Sequence, residues 1–151
     1  MGSSSTLSSS AFFAFPRSRP KQISLLLLAA AFTYVGVHHF VAPAFYVSIM
    51  PDYMPWHLEL VYISGVFEVM GGLGLLWGRT RRIACWGLLA LLVAVYPANI
   101  NMLMNPEKFP DIPYWALWVR MPLQFLAAAW IWYATRPDPS TGSSGARPQP
   151  A

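Results

Sequence analysis

The sequence predicts an all-α integral membrane fold. The form expected is an antiparallel four-transmembrane-helix bundle with a short interfacial helix between the first and second spans. Three observations predict it. The 151 residues are 56% hydrophobic and only 11% charged, where a soluble domain carries about 25% charged residues. Charge that sparse cannot coat a water-facing surface, so an ordinary soluble globule is excluded. Four apolar stretches recur, each near the ~20 residues that cross ~30 Å of hydrocarbon. The basic residues gather at alternate connections between those stretches. A spanning segment must satisfy its own backbone hydrogen bonds, and no polar–apolar alternation marks barrel strands, so the stretches read as helices.

The same composition removes other classes. The pI is near 9.5, but the ten Lys and Arg form no single patch, so no nucleic-acid partner is expected. Cys85 is the one cysteine, which excludes an internal disulfide framework and a CxxC redox motif.

Residues 1–20 are rich in Ser, with Pro16 and Pro20. Residues 137–151 are rich in Pro, Ser and Gly. Neither end can bury enough apolar area to offset ordering entropy, so both read as disordered tails around a domain at 21–136. The MGSSST leader fits a myristoylation pattern that a spanning chain does not need. The expected spans are 22–41, 57–78, 82–103 and 114–135. The first has small residues at Ala29–Ala31, but its apolar run continues through Phe32–Val37. It therefore reads as a span and not as a cleaved signal peptide. Pro43 is placed to start a short helix at Ala44–Met50, too apolar for water, forming a lid over the bundle mouth. Arg79, Arg81 and Arg82 make a tight basic turn between the second and third spans. A Pro-rich loop at Asn105–Pro113 joins the third and fourth.

Orientation follows from charge. Arg17, Arg19, Lys21, Arg79, Arg81, Arg82, Arg136 and Arg147 lie on one side. Lys108, beside Glu107 and Asp111, lies on the other. The positive-inside rule puts both termini in the cytoplasm. Trp56, Trp115 and Trp118 mark the outer interface. Trp77, Trp86, Trp130 and Trp132 mark the inner one.

Polar residues inside the spans are the functional signal, because each costs several kcal/mol in lipid and normally faces protein. Glu68 lies ~16 Å from the outer end of the second span, at about 1.5 Å per residue. Ser64, Glu68 and Gly72 form a small-and-polar stripe at i, i+4 and i+8, of the kind that faces another helix. The bland alternative for Glu68 is a structural hydrogen-bonding residue. Arg120 and Gln124 share a face at i and i+4, ~9 and ~15 Å from the outer end of the fourth span. Arg120 is placed either to reach toward Glu68 or to snorkel outward. Pro122 between them leaves a backbone carbonyl free. His38 and His39 point about 100° apart, so one of the two faces inward. Tyr34 shares a face with His38. Asn99 and Asn101 follow Pro97 near the outer end of the third span. Glu59 fits a helix-start acid favoured by the helix dipole. No metal site is expected, since no Cys or carboxylate joins the histidines at ligand spacing on their helix. Together these depths predict a polar pocket open outward, bounded by His38 or His39, Tyr34, Glu68, Asn99, Arg120 and Gln124.

Three stretches carry a family resemblance: VGVHHFVAPAFYVSIMP (35–51), YISGVFEVMGGLGLLWGRTRRIACWGLLALLVAVYPANINM (62–102) and RMPLQF (120–125). The sequence resembles the DoxX and DoxX-like family of small bacterial membrane proteins. The ordered set is His-Phe, Ser-Gly-x-x-Glu, Gly-Gly-x-Gly-Leu, Pro-Ala-Asn and Arg-x-Pro-x-Gln. Its polar members fall on His39, Ser64, Glu68, Asn99, Arg120 and Gln124. The resemblance implies a four-helix bundle in the bacterial cytoplasmic membrane and an association with redox chemistry. The family's named member is a subunit of thiosulfate:quinone oxidoreductase. Relatives that handle disulfides carry cysteine pairs that this chain lacks.

The leading functional expectation is a quinone-linked membrane subunit without independent catalytic activity. Arg120 and a histidine would donate to the quinone carbonyls, and Glu68 would act as proton relay. With no covalent cofactor and no cofactor motif, a soluble or periplasmic redox partner would supply electrons. Membrane lipid and further copies of the chain are the other partners expected. The alternatives are a lipophile-binding or isomerase-like protein, in which His and Glu move a proton, and a non-catalytic assembly scaffold.

Overall fold

A computed structural model of the protein describes residue 16 and residues 18–137. The two tails and the MGSSST leader, with Arg17 and Arg147, lie otherwise outside the described residues. Every regular element described is helical. These are α1 (Arg19–Val41), α2 (Pro43–Ser48), α3 (His57–Gly74), α4 (Arg81–Met104) and α5 (Tyr114–Thr135), with a 3-10 turn at Pro106–Lys108. Two of them, α1 and α4, are long and apolar enough to cross a membrane. The other two long helices do not meet the same test of length and hydropathy. α3 carries His57, Glu59 and Glu68, and α5 carries Arg120, Gln124 and several Trp and Tyr.

The four long helices pack in a ring, α1–α3–α4–α5 and back to α1. Neighbours run antiparallel, so α1 faces α4 and α3 faces α5 only across the diagonal. One end of the ring carries α2 as a lid. The other carries the first residues of α1 and the last of α5.

Helix boundaries follow local chemistry. Pro20 sits in the first turn of α1, where its missing N–H is no loss. α1 thus starts at Arg19, inside the segment expected to be tail. Lys21 is buried, and its Nζ donates to the Arg136 carbonyl at 2.9 Å and the Pro137 carbonyl at 3.3 Å. A cation on the last carbonyls of α5 also suits that helix's dipole. Pro43 opens α2 as expected. α3 ends at Gly74, four residues short of the expected span. The cause is a side-chain-held turn: Thr80 Oγ1 donates to the Gly74 carbonyl at 2.8 Å and Arg81 Nε to Leu75 at 2.9 Å. Trp56, just before α3, has φ 54°, a left-handed conformation that costs a non-glycine residue roughly 1–2 kcal/mol.

Packing divides into two clusters. Leu25, Leu28, Leu75, Cys85, Leu88 and Ile131 fill the termini end. Cys85 is core, and Thr135 Oγ1 donates to its Sγ at 3.2 Å. Ile49, Met102, Phe109 and Leu117 pin the lid end. Outside, large apolar side chains stay exposed on all four long helices, among them Leu27, Phe67, Val93 and Leu126.

α1 and α3 touch backbone to backbone. A Cβ on Gly36 would lie 2.8 Å from the Gly65 carbonyl oxygen, and one on Gly65 would lie 2.9 Å from that of Gly36. Gly87 on α4 has no such neighbour within 4 Å. Gly65→Val should therefore destabilise the protein by about 1–3 kcal/mol through overpacking. Gly87→Ala should be neutral, or stabilising by up to about 1 kcal/mol through helix propensity. Thermal unfolding in detergent, followed by circular dichroism, measures both. Equal effects of the two would contradict this packing.

Candidate functional site

A cavity of about 600 Å³ lies between the lid, α1, α3 and α4, with Arg120 of α5 also in its wall. Its wall is apolar apart from His39, Tyr46, Ser64, Glu68, Asn99 and Arg120.

Glu68 comes from the middle of α3 and is only 8% exposed. Its Oε2 is fully buried and has no hydrogen-bond partner. The nearest cationic candidate is His39 Nδ1 at 3.4 Å. That nitrogen lies 2.8 Å from the Val35 carbonyl one turn back. A carbonyl only accepts, so Nδ1 carries the proton and directs it to Val35. The contact with Glu68 is a close approach and not a hydrogen bond. An unsatisfied buried carboxyl oxygen is costly, and this one belongs to a residue that lines the cavity.

His39, and not His38, is the histidine that lines the cavity. His39 is buried under the ring of Tyr46, which stacks on it at 3.6 Å between centroids. His38 is half-buried and shares a 3.1 Å hydrogen bond with the Tyr46 hydroxyl. α2 thus brings Tyr46 against both histidines. Sequence reading identified the lid but missed this residue. The available signal was the spacing from Pro43, which puts Tyr46 on the first turn of a helix that must fold back over α1.

Arg120, Asn99 and Gln124 form one relay. Arg120 Nε and Nη2 donate to Asn99 Oδ1 at 3.1 and 3.0 Å. Asn99 Nδ2 donates to Gln124 Oε1 at 2.7 Å, and Gln124 Nε2 donates to the Leu92 carbonyl. Hydrogen bonds to a charged group contribute about 1.5–3 kcal/mol each, so the relay fixes the guanidinium. Arg120 is part of the cavity wall.

Three expectations change. Arg120 does not pair with Glu68, because α3 and α5 are diagonal in the ring and Asn99 intercepts the guanidinium. Gln124 does not line the cavity but buttresses Asn99 from between α4 and α5. Tyr34 is 71% exposed and lies outside the site. Its ring lies 6.1 Å from that of His38, tilted by 31°. The lid expected over the bundle mouth lies there. Asn101 Nδ2 donates to the Ile49 and Met50 carbonyls at 3.1 and 3.2 Å, tying the lid to α4.

Residues 28–135 match the model of a domain of unknown function, DUF8561. The chain belongs to the DUF8561 family. Comparison with curated proteins and with solved structures finds no match. The matched DUF8561 region contains all four long helices except the start of α1, together with the lid and every polar residue of the cavity.

Burial raises the pKa of Tyr46 above the ordinary tyrosine value. The nearby Glu68 and Tyr34 raise it further, and Arg120 opposes them. The Tyr46 ring-carbon resonance, assigned by its loss in Tyr46→Phe, should therefore titrate later than exposed tyrosines. Glu68→Gln should lower that midpoint part of the way, and Arg120→Met should raise it. An unshifted midpoint in all three proteins would contradict the arrangement.

Proposed function

We propose that this chain is a four-span protein of the bacterial cytoplasmic membrane that binds a quinone head group in its cavity. Both termini would face the cytoplasm, as the basic flanks favour. The exposed apolar belt supports spanning by all four long helices, since α3 presents Val66 and Met70 outward and α5 presents Phe125 and Leu126. Soluble monomers rarely show such continuous apolar surface.

The observation that carries the head-group reading is the buried Glu68 Oε2, which has no hydrogen-bond partner in a cavity that Arg120 also lines. A quinol hydroxyl would donate to Glu68. A quinone carbonyl would accept from the Arg120 guanidinium. Reduction takes two electrons and two protons, and this chain contributes on the proton side: Glu68 is the relay group, with His39 3.4 Å away as its neighbour. A partner oxidoreductase supplies the electrons, in keeping with the resemblance to the DoxX family.

Mild detergent purification followed by solvent extraction tests the reading. The expected extract contains a quinone whose absorbance changes on reduction. Losing a hydrogen bond to a charged group costs about 1.5–3 kcal/mol. Arg120→Met should therefore lower quinone retention by about tenfold or more, and Glu68→Gln should lower it while membrane insertion persists. A different bound lipid would favour the lipophile or isomerase reading. An empty protein held in a stable complex would favour the scaffold reading. Either result would overturn the quinone assignment.

A further inference from the structure

We infer that the cleft between α3 and α4 holds the single hydrocarbon tail of the ligand and opens sideways to the bilayer. This rests on the head-group reading above and adds the direction and class of the tail.

Gly87, Ala90, Ala94 and Ala98 recur at three- and four-residue steps on α4, so they share one face. All four line the cavity. Small residues on a membrane helix usually let a neighbour approach closely. At Gly87 no neighbour does so. Nearer the termini end α3 meets α4 tightly, where Gly71 packs on Leu88 and Gly74 on Ala84. A Cβ added to Gly87 would find nothing within 4 Å. The α4 face at Gly87 therefore borders open space, and Ala90 and Ala94 beside it are exposed.

The shape of that space indicates its occupant. Gly87, Ala90 and Ala94 are exposed along the cleft floor. On the opposite wall, Ile63 is 49% and Phe67 54% exposed. The cleft is thus open along its side, while the lid end is closed by Ile49, 7% exposed. From Asn99 to Gly87 the helix covers roughly 18 Å. Polar groups, including the unpartnered and nine-tenths buried Glu68, sit toward the lid, and the floor below them is apolar. About 600 Å³ is the volume of one small-ligand site. Together these features fit one amphiphile with a hydrogen-bonding head and one chain, and not a two-chain phospholipid.

Photolabelling of the full chain in lipid nanodiscs tests this. The probe is a benzoquinone with one isoprenoid tail ending in a diazirine. The expected label falls on residues 87–91 and is competed away by the same quinone without the diazirine. Gly87→Leu combined with Ala90→Leu fills the floor and should remove most of that label. The tail-free quinone should still bind this variant, which shows that it folds. Label on the lid, label spread evenly over the outward faces of α1 and α5, or unchanged labelling in the filled variant would overturn the inference. If Glu68→Gln with Arg120→Met leaves the label on 87–91 and its competition intact, the cleft assignment stands and the head-group reading fails.

Discussion

The approach of α1 to α3 at Gly36 and Gly65, where neither position has room for a Cβ, sets the geometry of the bundle. It draws one pair of helices together over most of their length. It also places Glu68 and His39 on a common wall, with carboxyl and imidazole 3.4 Å apart. α3 cannot then lie equally close to α4 along its whole length. The two helices meet near the termini end and part toward the lid, and the cavity is the space between them. A tight seam on one side and an open cleft on the other are consequences of the same contact.

The polar residues divide between two jobs. Arg120, Asn99 and Gln124 satisfy one another in a relay that ends on a backbone carbonyl. That relay holds α4 to α5 and fixes the guanidinium beside the cavity. Glu68 is left outside it. Buried polar groups are nearly always hydrogen-bonded, so an orphan carboxyl oxygen facing a cavity is a requirement that a ligand can meet. The lid completes the enclosure through Tyr46, which stacks on His39 and bonds to His38. It is anchored in turn by Asn101. The orphan carboxyl, the fixed guanidinium and the lid therefore come from different residues, and most of them lie within two turns of the lid.

Much of this was legible in the amino-acid sequence. The helical segments follow from apolar length, and the lid follows from Pro43. The choice of Glu68, Asn99, Arg120 and the His38/His39 pair follows from the cost of polar groups among apolar ones. What was not legible is the angle around the ring. Residue counting gives the height of a side chain along its helix but not which neighbour it faces. Height alone therefore puts Arg120 within reach of Glu68, although their helices are diagonal and Asn99 stands between. Tyr34 failed for the same reason, since its i, i+4 relation to His38 holds but His39 is the inward histidine. Tyr46 escaped because a tyrosine in an apolar lid carries no cost signal. The early end of α3 depends on Thr80 and Arg81 reaching back to Gly74 and Leu75, a contact that apolar length does not encode.

The central claim is that Glu68 is held unpartnered for a ligand. Infrared difference spectroscopy of the protein in detergent, recorded on addition of a short-chain quinone and then on its reduction, tests it most directly. The account predicts a change in the carboxyl stretching region that disappears in Glu68→Gln and persists in Glu59→Gln. A quinone that binds with no carboxyl signal assignable to Glu68 would contradict it.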